Sequence, residues 1–198
     1  VAKPIQQDVT GLVLAGGRAT RMGGVDKGLV EVIGKPMVQH VIDRLRPQVG
    51  ELIISANRNL DQYALLADRV IADENTGQES HAGPLAGMLA GLRAATTNWV
   101  ACVPCDAPRL PLDLVVRLAE AIGGASAAVA RTVDGLQPVF CLLSTNLAAD
   151  LGRRLRAGER KTEAWLRSVG AVAVGFDDAS AFANFNSFEE LKPLGGQS

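Results

Sequence analysis

Short apolar runs alternate with amphipathic segments along nearly the whole chain, the pattern of a mainly parallel sheet covered by helices on both faces. The apolar runs predict strands near residues 10–15, 51–55, 69–72, 98–103, 126–131, 136–143 and 171–176. Between them, Met37, Val38, Val41, Ile42 and Leu45 recur at helical spacing after Pro36, a residue suited to a first turn. Leu114, Val115, Leu118 and Ile122 repeat the pattern after Pro111, and Leu147, Leu151 and Leu155 repeat it again. All of these apolar residues read as core. Asp134-Gly135 separates two neighbouring strand runs, a hairpin signal that inserts an antiparallel strand into the sheet. The expected fold class is therefore α/β, a single domain over residues 1–198 with a mainly parallel mixed sheet and helices on both faces. The sequence has no internal repeat, low-complexity tract or linker, apart from a Gly195-Gly196-Gln197-Ser198 tail expected to fray.

Composition narrows the partners. With 198 residues, of which 47% are hydrophobic and 21% charged, the chain has apolar material for one core. A net charge of −1 gives no global basic field, so neither nucleic acid nor an anionic membrane is expected as a partner. No stretch reaches the roughly 18 apolar residues of a membrane span, and the start of the chain lacks a charged region followed by a long apolar run. A soluble, cytoplasmic protein is expected. Three cysteines, at 102, 105 and 141, are too few and odd in number for a secreted disulfide framework. Cys102-Val103-Pro104-Cys105 has the spacing of a redox pair, but Asp106 adds an anion and Pro108 and Pro111 delay the helix that would stabilise a thiolate. Small buried residues beneath a functional loop are the other reading of these two thiols. No second pair completes a zinc site, and His40 and His81 lack ligand spacing.

The densest chemistry lies in residues 12–27, where an apolar strand breaks into Gly16-Gly17-Arg18-Ala19-Thr20-Arg21-Met22-Gly23-Gly24-Val25-Asp26-Lys27. Glycines let backbone N–H groups pass close to phosphate oxygens without a Cβ in the way. Arg18, Arg21 and Lys27 add cationic donors, so the loop suits a nucleoside triphosphate. It is neither a Walker A loop nor a Gly-x-Gly-x-x-Gly fingerprint. In open α/β sheets ligands sit beyond the carboxyl ends of the strands. The other informative ends are Ile54-Ser55-Ala56-Asn57-Arg58, Ile71-Ala72-Asp73 and Val103-Pro104-Cys105-Asp106-Ala107-Pro108. Two carboxylates at neighbouring strand ends, facing a basic loop, suit Mg²⁺ bound to a triphosphate, because Mg²⁺ takes one or two protein carboxylates and fills its shell with water and phosphate. Helix N-capping or loop chemistry is the alternative for Asp106 and Asp73.

Leu14-Ala15-Gly16-Gly17, Arg21-Met22-Gly23 and Lys27, in that order, resemble the signature loop of nucleotidyltransferases that join a nucleoside monophosphate to a phosphorylated acceptor. With Gly24-Val25-Asp26-Lys27 following Leu-Ala-Gly-Gly, the segment is similar to that of the molybdenum cofactor guanylyltransferase family, whose members attach GMP to molybdopterin. The resemblance runs from about residue 10 to 192 and is most specific before 112. It implies a nucleotide-diphospho-sugar transferase-like, Rossmann-like fold with a nucleotide-binding half at about 8–110 and an acceptor-binding half at about 111–192.

By the same resemblance Leu14, Ala15, Gly16 and Gly17 hold the nucleotide and Asp73 contacts it. Asp106, in Cys105-Asp106-Ala107-Pro108, holds Mg²⁺, while Lys27 and Arg21 stabilise charge developing towards pyrophosphate. Ser55 and Asn57 occupy the neighbouring strand end as nucleotide-binding residues; Ser55, placed for base or ribose contact, stands where the family commonly carries asparagine, and Asn57 either joins in binding or caps or braces the loop. Gly83-Pro84-Leu85-Ala86-Gly87 also matches and either packs closely or touches the nucleotide. Arg160, Lys161, Asn184 and Asn186 resemble positions on the molybdopterin side, against plainer readings as a solvated helix end and as turn residues before a Ser187-Phe188-Glu189-Glu190 capping box. GTP and molybdopterin are then the substrates, with transient contact to other molybdenum cofactor assembly proteins. A CTP-dependent or sugar-phosphate nucleotidyltransferase and a non-catalytic nucleotide-binding regulator are the alternatives.

Overall fold

The computed structural model describes residues 4–16, 26–73 and 83–185. Nine strands form there: β1 (Val9–Leu14), β2 (Glu31–Val32), β3 (Lys35–Pro36), β4 (Glu51–Ser55), β5 (Arg69–Ile71), β6 (Trp99–Pro104), β7 (Ala127–Thr132), β8 (Gly135–Ser144) and β9 (Val172–Gly175). The α-helices are α1 (Met37–Leu45), α2 (Leu60–Ala64), α3 (Pro84–Ala94), α4 (Leu114–Ala121), α5 (Ala148–Arg156) and α6 (Thr162–Ser168). Seven strands make one sheet in the order β5-β4-β1-β6-β8-β7-β9, and β2 and β3 make a separate hairpin. Every neighbour pair of the large sheet is parallel except the two pairs made by β8.

Both faces of the sheet are covered, and this explains the near-continuous apolar strands. Val9 and Val13 of β1, Leu52 and Ile54 of β4, and Ala101 and Val103 of β6 pack towards α1 and α4. Their alternates Leu12, Ile53, Val100 and Cys102 pack towards α3, α5 and α6. Helix α3 comes close to β1 because it presents glycine there: a Cβ on Gly91 would collide with the Leu12 side chain. Gly83, at φ +57° and ψ −151°, turns the chain into α3 through a region of backbone space that is essentially glycine's own.

The predicted mixed α/β sheet is present, with its antiparallel insertion, but details differ. The β7–β8 turn is Val133-Asp134, one residue earlier than the sequence suggested, and Gly135 at φ +114° already pairs with Thr132. Pro36 lies just before α1 and pairs in β3, so it is not in the helix's first turn. The helix expected after Pro111 is α4, which begins at Leu114 behind Asp113, so Pro111 too lies ahead of the first turn. Strands β2 and β3 and helices α2 and α6 carried no periodic signal.

Candidate active site

The direction of chain progression reverses at β1: β4 and β5 lie on one side of it and β6 on the other. Ligands of open α/β sheets bind at such a reversal, beyond the carboxyl ends. Here the end of β1 delivers Leu14, Ala15 and Gly16, and the end of β6 delivers Cys105 and Asp106. The strand ends stay in register past the sheet, since Cys105 N–H donates to the Leu14 carbonyl at 3.1 Å and Ala15 N–H to the Ser55 carbonyl at 2.8 Å.

On the β4–β5 side, three polar residues lock together. The Ser55 hydroxyl donates to Asp73 Oδ1 at 2.5 Å and Asn57 Nδ2 donates to Asp73 Oδ2 at 2.8 Å. Asn57 Oδ1 in turn accepts from the Asp73 N–H at 3.0 Å. Of the two roles open to Asn57, the structure displays the brace. Ser55 is fully buried, and its proton is spent on Asp73. This cluster presses on glycine from both directions. A Cβ on Gly16 would lie 2.6 Å from Asp73 Oδ2, and one on Gly87 would lie 3.0 Å from Asp73 Oδ1 and 3.1 Å from Ser55 Oγ. Close packing is therefore a demonstrated role for Gly87.

On the β6 side, Lys27 opens a 3-10 helix (Lys27–Leu29) and its Nζ lies 3.7 Å from Asp106 Oδ2. The Asp106 side chain is 16% exposed, and burial pushes its carboxyl above the usual carboxylate range although Lys27 pulls it down. One ammonium therefore leaves the desolvation of this carboxylate only partly offset, and further positive charge is favoured beside it. Asp106 caps no helix, and its strand end is not next to that of Asp73 as the sequence suggested, because β4 and β1 lie between β5 and β6. The Asp106 carbonyl accepts from Phe185 N–H at 2.9 Å, which ties residues 183–185 to the loop after β6. Phe185 is buried with Val32 and Met37, beneath the Arg109 guanidinium, whose carbon is 5.4 Å from the ring centroid.

The cysteines do not form a redox pair. Cys102 faces the α3 side of the sheet and Cys105 packs on the α1 side, as an odd spacing in extended chain requires. Cys102 pairs in register with Cys141 of β8, and all three thiols are free. Cys105 Sγ lies beneath the 3-10 helix, 3.4 Å from where a Gly28 Cβ would be, and burial pushes its thiol far up. Both are small packed residues rather than a redox pair, but only Cys105 lies beneath the loop; Cys102 packs on the opposite face of the sheet.

Of the residues expected to meet the acceptor, Arg160 donates from Nη1 to the Leu155 and Glu159 carbonyls at 2.9 and 2.7 Å, closing the end of α5. Lys161 is exposed and immediately precedes α6. Asn184 is exposed beside Phe185. Gly17, Arg18, Arg21, Asn186 and the 187–190 capping box lie outside the described residues.

Sequence reasoning missed one part of the site. Asp26 Oδ1 accepts from the Tyr63 hydroxyl at 2.6 Å and from Gly28 N–H at 3.2 Å, and its Oδ2 accepts from Asn59 Nδ2 at 3.0 Å. Tyr63 is the chain's only tyrosine, which was the available signal, and the structure shows it fully buried.

Residues 11–173 match the family described as a MobA-like NTP transferase domain. A molybdenum cofactor guanylyltransferase of Burkholderia orbicola is 52% identical over 202 residues, covering 96% of this chain and 97% of that one. A protein of the same name from Cupriavidus pinatubonensis is 50% identical over 194 residues, covering 94% and 96%. Among solved structures, the molybdopterin-guanine dinucleotide biosynthesis protein A of Archaeoglobus fulgidus shares the fold, with a TM-score of 0.72 and 23% identity over 93% of this chain and 95% of that one.

Proposed function

The chain belongs to the MobA-like NTP transferase family and is a nucleotidyltransferase; on that premise we propose that it transfers GMP from GTP to the terminal phosphate of molybdopterin. A phosphate oxygen of the acceptor attacks the α-phosphorus, the bond from that phosphorus to the bridging oxygen breaks, and pyrophosphate leaves. The attacking group is already anionic, so no serine or cysteine nucleophile is needed. Catalysis reduces to positioning and charge compensation.

The observation that carries this reading is the meeting of Lys27 and Asp106, 3.7 Å apart, at the reversal point of the sheet. Lys27 supplies positive charge to the departing pyrophosphate, with Arg21 as a second cation. Leu14, Ala15, Gly16 and Gly17 form the nucleotide-side wall, and the Ser55–Asn57–Asp73 cluster fixes its shape. Mg²⁺ is the divalent ion of the proposal. Among the described residues no three His, Cys, Asp or Glu side chains converge as a metal site. The donor set fits an ion held by Asp106 together with substrate oxygens and water, and when bound it would withdraw charge from the phosphorus under attack.

The acceptor half, about 111–192, supplies Lys161 and Asn184 as candidates, with Asn186 two residues further on. Arg160 shapes the turn that carries Lys161, and the Phe185–Asp106 hydrogen bond brings Asn184 near the metal-side loop. Three free thiols support a reducing, cytoplasmic setting, where transient handover from other cofactor-assembly proteins would protect the pterin.

The test is pyrophosphate release from GTP, Mg²⁺ and molybdopterin. Asp106→Ala and Lys27→Ala are each expected to lose at least about two orders of magnitude in turnover. Near-normal turnover in either purified variant removes its assigned role. Preference for CTP, or for a sugar phosphate as acceptor, points to another nucleotidyltransferase. GTP binding without turnover points to a regulator.

A further inference from the structure

Helix α2 is only five residues long and exposes Leu60 and Leu65 on its outer side, yet it presents Tyr63 to a buried position against the segment that carries Lys27. Three observations converge there. First, Asp26 sits immediately before Lys27 and has both carboxylate oxygens engaged, by Tyr63, Gly28 and Asn59. Second, Asn59 adopts the left-handed conformation at φ +52°, which turns its amide towards Asp26 while its carbonyl accepts from Gln62 and Tyr63 at the start of α2. Third, the fit beneath the turn admits no extra atom, because a Cβ on Gly28 would collide with the Tyr63 hydroxyl. The network spans 37 residues of sequence and holds one thing in place, the 3-10 helix from which Lys27 reaches Asp106.

We propose that Tyr63 and Asp26 are positioning residues of the transfer reaction, forming with Asn59 a brace that aims Lys27 at the phosphates. The proposal rests on the role assigned above to Lys27. Three donors already converge on the Asp26 carboxylate, and like charge opposes its direct contact with a polyanion. Its work is done through the turn: Asp26 accepts the Gly28 N–H and so sets the backbone from which the Lys27 side chain departs. Tyr63 prevents that turn from sinking or rotating, since its ring is locked in the core beneath. A lysine that had to find its place during each turnover would lose part of the preorganised stabilisation it supplies to developing charge.

The test starts with Lys27→Ala alone. If that variant keeps near-normal turnover, the role of Lys27 fails and the brace falls with it. If it is impaired, Tyr63→Phe decides, because it keeps the buried ring and removes only the hydroxyl. We expect kcat to fall about tenfold with KM for GTP within about twofold, the signature of an interaction made mainly in the transition state. In the Lys27→Ala background, the same Tyr63→Phe change is expected to alter kcat by less than about twofold, since there is no lysine left to aim. Asp26→Asn, which leaves one of the three donors without an acceptor, should follow Tyr63→Phe in both backgrounds and replaces it if Tyr63→Phe folds poorly. A wild-type kcat in the single variants, or an equal loss with and without Lys27, would show a merely structural network and overturn the proposal.

Discussion

Gly16 has no room to be anything larger, and the reason is electrostatic as much as steric. The atom a Cβ would strike, Asp73 Oδ2, is itself held by Asn57 and cannot swing aside without breaking that bond. Gly16→Ala is therefore expected to raise KM for GTP about tenfold, a cost of about 1.4 kcal/mol in binding, while circular dichroism still reports the folded sheet. An unchanged KM would mean that the strand-end cluster does not face the nucleotide. How much of the site could be read from sequence follows from how local its signals are. The glycine loop and Asp106 sit just after apolar runs, with Lys27 closing that loop, and strand ends are where ligands of such sheets bind. Asp26 was visible only as the neighbour of Lys27, because its partner Tyr63 is 37 residues away in a segment without periodicity. Ser55 and Asn57 were noticed at the right strand end, but that both of them hold Asp73 depends on distances that spacing does not encode.

At the scale of elements, the β2–β3 hairpin holds a local conflict. Its two-residue turn, Ile33-Gly34, has φ of +49° and +72°, the type I′ geometry that suits the twist of paired strands. Glycine accepts this freely, whereas a β-branched residue at positive φ is strained by about 1–2 kcal/mol. Ile33 is 56% exposed, so the core offers it little in return. Ile33→Asn should raise the melting temperature by about 2–4 °C, as about 1 kcal/mol does in a chain of this size, and calorimetry showing no rise would mean the turn relaxes in solution. Two-residue strands and a five-residue helix have no period to detect, which is why β2, β3 and α2 escaped the sequence reading while all seven strands of the large sheet were anticipated. Helix α6 was missed for a different reason. Its buried apolar residues, Trp165 and Leu166, anchor only one turn, too little to stand out from the polar positions around them.

Over the whole molecule, the clearest pH-sensitive link joins the α1 side to the start of β5. Asp68 accepts from Arg46 Nη2 at 2.7 Å and from Leu52 N–H at 2.8 Å. The Arg46 hydrogen bonds, opposed by partial burial, hold its carboxyl at about 2, below the ordinary value. A depressed folded-state pKa contributes stability that is fully present above the unfolded value of about 3.9 and is lost as pH falls through the folded one. Both partners are 42% exposed, so the contribution is small, about 1 kcal/mol or less. The melting-temperature gap between the parent chain and Asp68→Asn should stay constant from about pH 5 to 8 and close below about pH 4; a gap that persists at pH 2 would assign it to packing. Among the described residues no helix is long and apolar enough to cross a membrane. The reversed strand β8 leaves its own mark on what this architecture can become. Its partner β7 runs with the parallel strands, so the Val133-Asp134 turn emerges on the same edge as Gly16 and Asp106, and residues 135–140 extend beyond the last β8 residue paired with β6, Cys141. A parallel strand in that place would need a crossover of a dozen residues or more to return. A hairpin can instead be lengthened or trimmed two residues at a time with every side chain keeping its face, so this part of the rim is free to change height while the ends of β1 and β6 stay as they are.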